Sequence, residues 1–154
     1  MIASAHLACG AAVSIYIQKY LPVSFREILR YIAAFLAGIV SHILMDAWPH
    51  WEYFQHGHKL FIILLIEMAL VFAGVFSTRM SRMAAGIVFM GMVGGATPDL
   101  SIIILKNFFP WNSLLYFNST IHVFHGFVPI FEANWLFQVI LAVLAIVYLK
   151  LKLA

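Results

Sequence analysis

The segment Ser41–Glu52 reads SHILMDAWPHWE and ends a long apolar run with two histidines and a carboxylate. On an α-helix, His42 and Asp46 are four positions apart, so their side chains project from one face and can reach a common point. Pro49 lacks the N–H that a continuing helix needs, so we expect the helix to stop there and His50 to lie where the chain turns back. The segment predicts a metal site, and the alternative is a His–Asp hydrogen bond that only pins the helix end.

The composition indicates an integral membrane protein. Of the 154 residues, 64% are hydrophobic and 10% are charged, and the mean hydropathy is +1.00, which ordinary soluble domains do not approach. The net charge of +3 is attributed to membrane orientation, because no basic patch with interleaved aromatic residues indicates a nucleic-acid partner. A single cysteine, Cys9, excludes an internal disulfide. Ionisable residues in such an apolar chain indicate a functional site by default.

Apolar runs along the chain predict an all-α fold, a polytopic membrane helical bundle with about five transmembrane helices. The runs cover residues 3–18, 28–47, 60–76, 83–99 and 129–149. Residues 100–128 are predicted to form a short re-entrant or interfacial helical segment. Glycines in the fourth run suggest that another backbone, or a site, lies against it. No repeat or linker divides the chain, so residues 1–154 are predicted to be a single integral membrane domain.

The basic residues define the predicted orientation. With five crossings, Lys59 and Lys106 fall on one side of the membrane and seven basic residues fall on the other. The seven are Lys19, Arg26, Arg30, Arg79, Arg82, Lys150 and Lys152. Because cytoplasmic loops are enriched in lysine and arginine, the seven are assigned to the cytoplasm. The N-terminus is then outside and the C-terminus is cytoplasmic.

The same topology gathers the candidate metal ligands in the outer half of the bundle. They are five histidines and two aspartates: His6, His42, Asp46, His50, Asp99, His122 and His125. The orientation follows from the lysine and arginine positions alone. The clustering of histidines and aspartates on one side is therefore an independent test of the site. Imidazole and carboxylate ligands favour zinc first and manganese or iron next. Seven candidates exceed the needs of one tetrahedral ion, so one or two divalent ions are expected.

Other ionisable residues have two interpretations each. Glu52 is either a general base or a solvated loop carboxylate, and His56 and His58 are interpreted as exposed loop histidines. Glu67 is predicted to lie alone in the inner to middle part of the third run, where it would pair with an arginine or stay protonated.

Four short motifs, read together, resemble the membrane-bound metal-dependent hydrolase family of bacterial inner membranes. They are Ala5-His6-Leu7, Ser41-His42-Ile43-Leu44-Met45-Asp46, Pro98-Asp99 and His122-Val123-Phe124-His125. The resemblance implies a bacterial-type inner (plasma) membrane and a metal-dependent hydrolase activity. The segment from His42 to His50 is also distantly similar to the HxxxD segment of zinc-dependent phospholipase C, which implies that Asp46 bridges two zinc ions.

The predicted function is therefore an outward-facing, metal-dependent hydrolase. It would use a metal-activated water to cleave a phosphoester of a membrane lipid or lipid-linked substrate. Asp46, His50 and Glu52 are the catalytic candidates, and no GxSxG motif offers a competing nucleophile. The alternatives are a metal-ion or proton-coupled transporter, which would need polar groups through the inner half of the bundle, and a non-catalytic, metal-stabilised membrane scaffold. The oligomeric state is left open.

Overall fold

The structure is a computed structural model that describes residues 3–22, 24–46, 58–108 and 134–153. These residues form α-helices and contain no strand, which confirms the all-α fold class. The helices are α1 (Ala3–Gln18), α2 (Glu27–Asp46), α3 (His58–Phe76), α4 (Arg82–Phe108) and α5 (Asn134–Leu153).

Within the described ranges, three segments are long and apolar enough to cross a membrane, so the fold is compatible with a membrane protein. They are Glu27–Asp46, Arg82–Ser101 and Leu136–Leu153. This number is smaller than the five crossings predicted. The 16 residues of α1 reach only about 24 Å at about 1.5 Å per residue, less than the roughly 30 Å hydrocarbon layer. The described apolar part of α3, Leu65–Phe76, is shorter still.

Helix α4 extends beyond its predicted end. The fourth run was expected to stop at Pro98-Asp99, but the helix continues through Pro98 to Phe108. Proline removes one N–H, so the Gly94 carbonyl loses the helical hydrogen bond that it would accept, yet the helix resumes on the far side. The prediction of a separate segment from residue 100 is therefore wrong for residues 100–108, and residues 109–128 lie outside the described ranges.

Helices α1 and α2 are antiparallel neighbours. At one end, His6 Nε2 lies 3.3 Å from Asp46 Oδ1. At the other end, Arg30 Nη1 donates a hydrogen bond to Gln18 Oε1 at 3.1 Å. We call the first end of the bundle the ligand end, and the second, where Lys19 and Arg30 lie, the basic end.

Helices α3 and α4 continue this alternation of direction. Helix α4 runs parallel to α2, because Gly86 packs on the Tyr31 ring near the basic end, while the Gly95 carbonyl meets His42 near the ligand end. Helix α3 runs parallel to α1, because the Ser4 N–H bonds Glu67 and the next turns of both helices share one apolar cluster. That cluster also contains Leu149 of α5.

On α2, small residues lie inside the bundle and large apolar residues lie outside. On α2, the large side chains Leu36 and Val40 are each 53% exposed. The buried residues of this helix are small or polar: Ala34, Ala37, Gly38, Ser41, His42 and Asp46. Small interfacial residues let helix backbones approach closely, and a large exposed apolar surface suits contact with lipid.

Glycines bring α1, α2 and α4 into backbone contact. A Cβ atom added at Gly10 of α1 or at Gly38 of α2 would collide with the carbonyl oxygen of Gly91 on α4. The prediction that the glycines of the fourth run lie against another backbone is confirmed. No larger side chain fits between the three helices here, within three turns of the predicted ligands.

Candidate metal centre

The predicted ligands that fall in the described residues lie together at the ligand end. His42 Nε2 lies 3.0 Å from Asp46 Oδ2 and 3.7 Å from Asp99 Oδ1. His6 Nε2 is 3.3 Å from Asp46 Oδ1. One ligand atom each from His6, His42 and Asp99 fit within 4.8 Å of one another, as a metal-binding group requires.

The other predicted site residues lie outside the described residues. They are the three predicted ligands His50, His122 and His125 and the proposed general base Glu52. Their assignment stays a prediction.

Three helices supply the four converging side chains. His42 and Asp46 are one turn apart near the end of α2, as their spacing predicted. His6 comes from the antiparallel helix α1, and Asp99 follows Pro98 on α4. Because α1, α2 and α4 touch through glycines a few turns away, short side chains such as aspartate can bridge from one helix to another.

The two imidazoles are buried and stacked. The ring centroids of His6 and His42 are 3.8 Å apart, with an angle of 23° between the ring planes. His6 is 1% exposed, His42 0% and Asp46 3%, whereas the side chain of Asp99 is 44% exposed. The cluster is therefore closed on the sides of α1 and α2, and Asp99 marks the side from which solvent or a ligand can reach it.

A backbone contact fixes the tautomer of His42. Its Nδ1 lies 2.6 Å from the carbonyl oxygen of Gly95. A carbonyl oxygen can only accept a hydrogen bond, so Nδ1 carries the proton and donates. In the neutral ring, Nε2 then presents its lone pair to Asp46 and Asp99. A lone pair and two carboxylates repel one another, so this arrangement requires either a second proton, on the ring or on a carboxyl group, or a bound cation.

The distances fit a small divalent ion. Ligand atoms bound tetrahedrally to zinc at about 2.0–2.1 Å lie roughly 3.3 Å apart, and His42 Nε2 lies 3.0 Å from Asp46 Oδ2 and 3.7 Å from Asp99 Oδ1. His6 Nε2 lies 3.3 Å from the other Asp46 oxygen, Oδ1, and the group with one ligand atom each within 4.8 Å of one another is His6, His42 and Asp99. Metal-bound histidines usually donate the N–H of their other ring nitrogen to an acceptor, as His42 Nδ1 does to the Gly95 carbonyl. His6 Nδ1, by contrast, is buried and makes no hydrogen bond within the described part of the chain.

The sequence did not indicate the role of Gly95. Its carbonyl accepts from His42, and a Cβ added to it would stand 2.5 Å from the carbonyl oxygen of His6. The glycines of the fourth run predicted that another backbone, or a site, lies against α4. It did not show which carbonyl would meet which imidazole, because that depends on how the helices are rotated.

Glu67 lies nearer the ligand end than predicted. The sequence placed it in the inner to middle part of α3, either paired with an arginine or protonated. Its Oε2 accepts a hydrogen bond from the backbone N–H of Ser4 at 3.3 Å, a contact that the sequence did not predict. Ser4 is in the first turn of α1, two residues before His6. Val71 and Val75, four and eight residues later, could have placed Glu67 on the inward face of α3. They do not indicate that Glu67 lies beside the first turn of α1.

The comparisons supply no relative from which to assign the site. The chain matches no protein-family model, no curated protein and no solved structure. Interpretation of the cluster therefore rests on its geometry and chemistry.

Proposed function

We propose that the chain is a membrane-embedded, metal-dependent hydrolase whose metal site is the cluster of His6, His42, Asp46 and Asp99. The observation that supports this most directly is the position of His42 Nε2. With Nδ1 donating to Gly95, the lone pair of Nε2 points at two carboxylates. A divalent cation at their common point would satisfy all of these groups at once.

A divalent ion would balance the charge of both carboxylates, whereas one proton balances only one. Two carboxylates and two neutral imidazoles have a net charge of −2. A proton on His42 leaves −1, whereas a divalent ion leaves none. Asp46 is 3% exposed and needs a partner in an apolar bundle, while Asp99, whose side chain is 44% exposed, is partly solvated. Imidazole and carboxylate donors fit zinc first and manganese or iron next, and one or two ions are proposed.

A divalent ion bound here would lower the pKa of a bound water to about 7 and so supply hydroxide at neutral pH. The residues of the chain would hold and orient that centre. Asp46 contacts both imidazoles and is the proposed bridging carboxylate. His50, His122 and His125 remain proposed ligands, with His50 also a catalytic candidate and Glu52 the proposed general base.

The surroundings of Asp99 support a substrate with a lipid part. Asp99 is the accessible member of the cluster, and the next residue, Leu100, is 54% exposed. On α2, Ile43 and Leu44 are 38% and 68% exposed on the turn that also carries His42 and Asp46. Exposed apolar side chains near this end of the bundle suit a molecule that arrives through the membrane. The proposed substrate is a phosphoester of a lipid or a lipid-linked molecule.

We also propose that all five helices cross the membrane, with the N-terminus outside and the C-terminus in the cytoplasm of a bacterial-type cell. Their alternating directions support this topology, as does the separation of the ligands from Lys19 and Arg30 at the opposite end of the bundle. Membership of the membrane-bound metal-dependent hydrolase family is a proposal supported by the four motifs alone.

The test is metal analysis combined with a substrate screen. Protein purified in lipid nanodiscs is analysed for bound metals and is then assayed against phospholipids and polyprenyl phosphoesters. We expect one or two divalent ions per chain and turnover that Asp46→Ala abolishes. Glu27→Gln, which removes an exposed carboxylate near the basic end, should retain both properties.

The other outcomes distinguish the alternatives. Bound metal without turnover of any substrate would favour the scaffold, or the transporter if the protein also moves metal ions into proteoliposomes. Absence of metal after reconstitution with zinc, manganese and iron would favour a simple imidazolium–carboxylate pair and would refute the proposal.

A further inference from the structure

Glu67 is a carboxylate that the proposed chemistry does not use. It lies on α3 between Ile66 and Met68, which are 54% and 39% exposed, while Glu67 itself is half-buried. Val71 and Val75, four and eight residues later, are buried in the cluster that contacts α1. Glu67 therefore lies on the face of α3 that packs against α1, although a carboxylate is costly to place there.

Its contact is with the first turn of α1. The Glu67 Oε2 atom accepts the backbone N–H of Ser4 at 3.3 Å. The first N–H groups of a helix have no partner within the helix, and a negative charge near them is favourable. Helix ends otherwise fray, because their backbone bonds are incomplete. The hydrogen bond from Ser4 to Glu67 thus holds the first turn of α1 against α3.

That first turn also positions His6. Ser4 precedes His6 by two residues, and the His6 ring is stacked on His42 with its Nε2 3.3 Å from Asp46. A small rotation or fraying of α1 at Ser4 would move the imidazole away from both. His6 is the single described ligand on α1, so its placement depends on this turn.

We propose that Glu67 is a positioning residue for His6, acting through the Ser4 N–H; for the metal centre, this role rests on the function proposed above. Glu67 does not contact the described ligands in this role. It holds the helix turn from which one of them projects. The contact needs an acceptor oxygen, and it does not need a negative charge.

The test compares two substitutions at position 67 with a matched change at the other end of α1. Glu67→Ala removes the acceptor, and Glu67→Gln keeps an amide oxygen that can accept from Ser4. Gln18→Ala is the control, because Gln18 bonds Arg30 at 3.1 Å at the basic end, far from His6.

The first readout needs no metal. Amide hydrogen exchange is measured in chelator-treated protein in nanodiscs. Glu67→Ala should speed exchange in the first turn of α1, Glu67→Gln should restore most of the protection, and Gln18→Ala should leave that turn unchanged. Unchanged exchange in Glu67→Ala would overturn the proposal, whether or not the protein binds metal.

The second readout is cobalt binding, followed by visible absorption. We expect Glu67→Ala to lose about 10- to 100-fold in affinity, the range seen when the support of a metal ligand is removed, with an altered spectrum as His6 is displaced. Glu67→Gln should keep the wild-type spectrum. Wild-type affinity and spectrum in folded Glu67→Ala would overturn the proposed link to the metal site. Failure of the wild type to bind cobalt would instead count against the proposed function.

Discussion

Replacing Asp46 by asparagine separates the two explanations of the buried cluster, because they predict different responses to zinc. The carboxylate lies 3.0 Å from His42 Nε2 and 3.3 Å from His6 Nε2, and asparagine keeps its shape while removing its charge. If a metal ion holds the cluster, Asp46→Asn removes a charged ligand. If a second proton on His42 holds it, the substitution breaks a buried ion pair.

The expected magnitude follows from burial. Asp46 is 3% exposed, and loss of one partner from a buried charge pair costs about 3–5 kcal/mol. At about 1.4 kcal/mol per tenfold change, zinc affinity should fall by about a hundredfold to a few thousandfold. Without metal, a second proton must relieve the repulsion between the His42 lone pair and the carboxylates, so in chelator the substitution breaks a buried ion pair under either explanation.

The assay is zinc affinity by chelator competition, together with thermal unfolding in nanodiscs with and without chelator. Zinc should raise the unfolding temperature of the wild type, and it should raise that of Asp46→Asn much less. Glu27→Gln should match the wild type in both conditions. If zinc leaves the unfolding temperature of the wild type unchanged, so that Asp46→Asn is destabilised by the same roughly 3–5 kcal/mol in zinc as in chelator, a proton holds the cluster and the metal assignment is wrong.

Two further substitutions, one near each end of the bundle, test which contacts the zinc affinity depends on. Gly95→Ala should weaken zinc binding and lower stability by about 1–3 kcal/mol, because its Cβ would stand 2.5 Å from the His6 carbonyl oxygen. Gly74→Ala is its control, since the new Cβ meets only the end of the Ile146 side chain at 3.1 Å; equal losses of zinc affinity would contradict this prediction. Arg30→Ala should lower the unfolding temperature through two lost side-chain hydrogen bonds at the basic end. It should leave zinc affinity unchanged, and a measured loss would mean that the two ends are coupled.

Local patterns were enough to predict most helix bounds. The first run was expected over residues 3–18 and the second over 28–47, and the helices are Ala3–Gln18 and Glu27–Asp46. Both are continuous apolar stretches with polar residues at their ends. Helix α4 did not follow its local signal. Pro98 and Asp99 normally favour a helix end, but one missing hydrogen bond was not enough to stop a helix that continues to Phe108.

The sequence predicted the contacts of the site that depend on residue spacing along one helix, or on the end of the bundle at which a residue lies. The pairing of His42 with Asp46 follows from their four-residue spacing, and His6 and Asp99 were brought to them by the alternation of helix directions. The position of Glu67 beside the first turn of α1 and the contact of the Gly95 carbonyl with His42 were not predictable in this way. Helix α1 is apolar on nearly every face, so its sequence does not indicate which side meets α3 or α4.

The glycine contacts and the ligand cluster are physically linked. Where α1, α2 and α4 touch through Gly10, Gly38 and Gly91, no large side chain fits between the backbones. One or two turns further on, the space between α1 and α2 is filled by two stacked imidazoles instead of an apolar core. Imidazoles beside carboxylates pack favourably only once their charge is balanced. It follows that a metal bound there would stabilise the ligand end directly, because the free energy of metal binding adds to that of folding. In metal-free protein, the ligand end should loosen before the basic end, where Arg30 ties α2 to α1 without any cofactor.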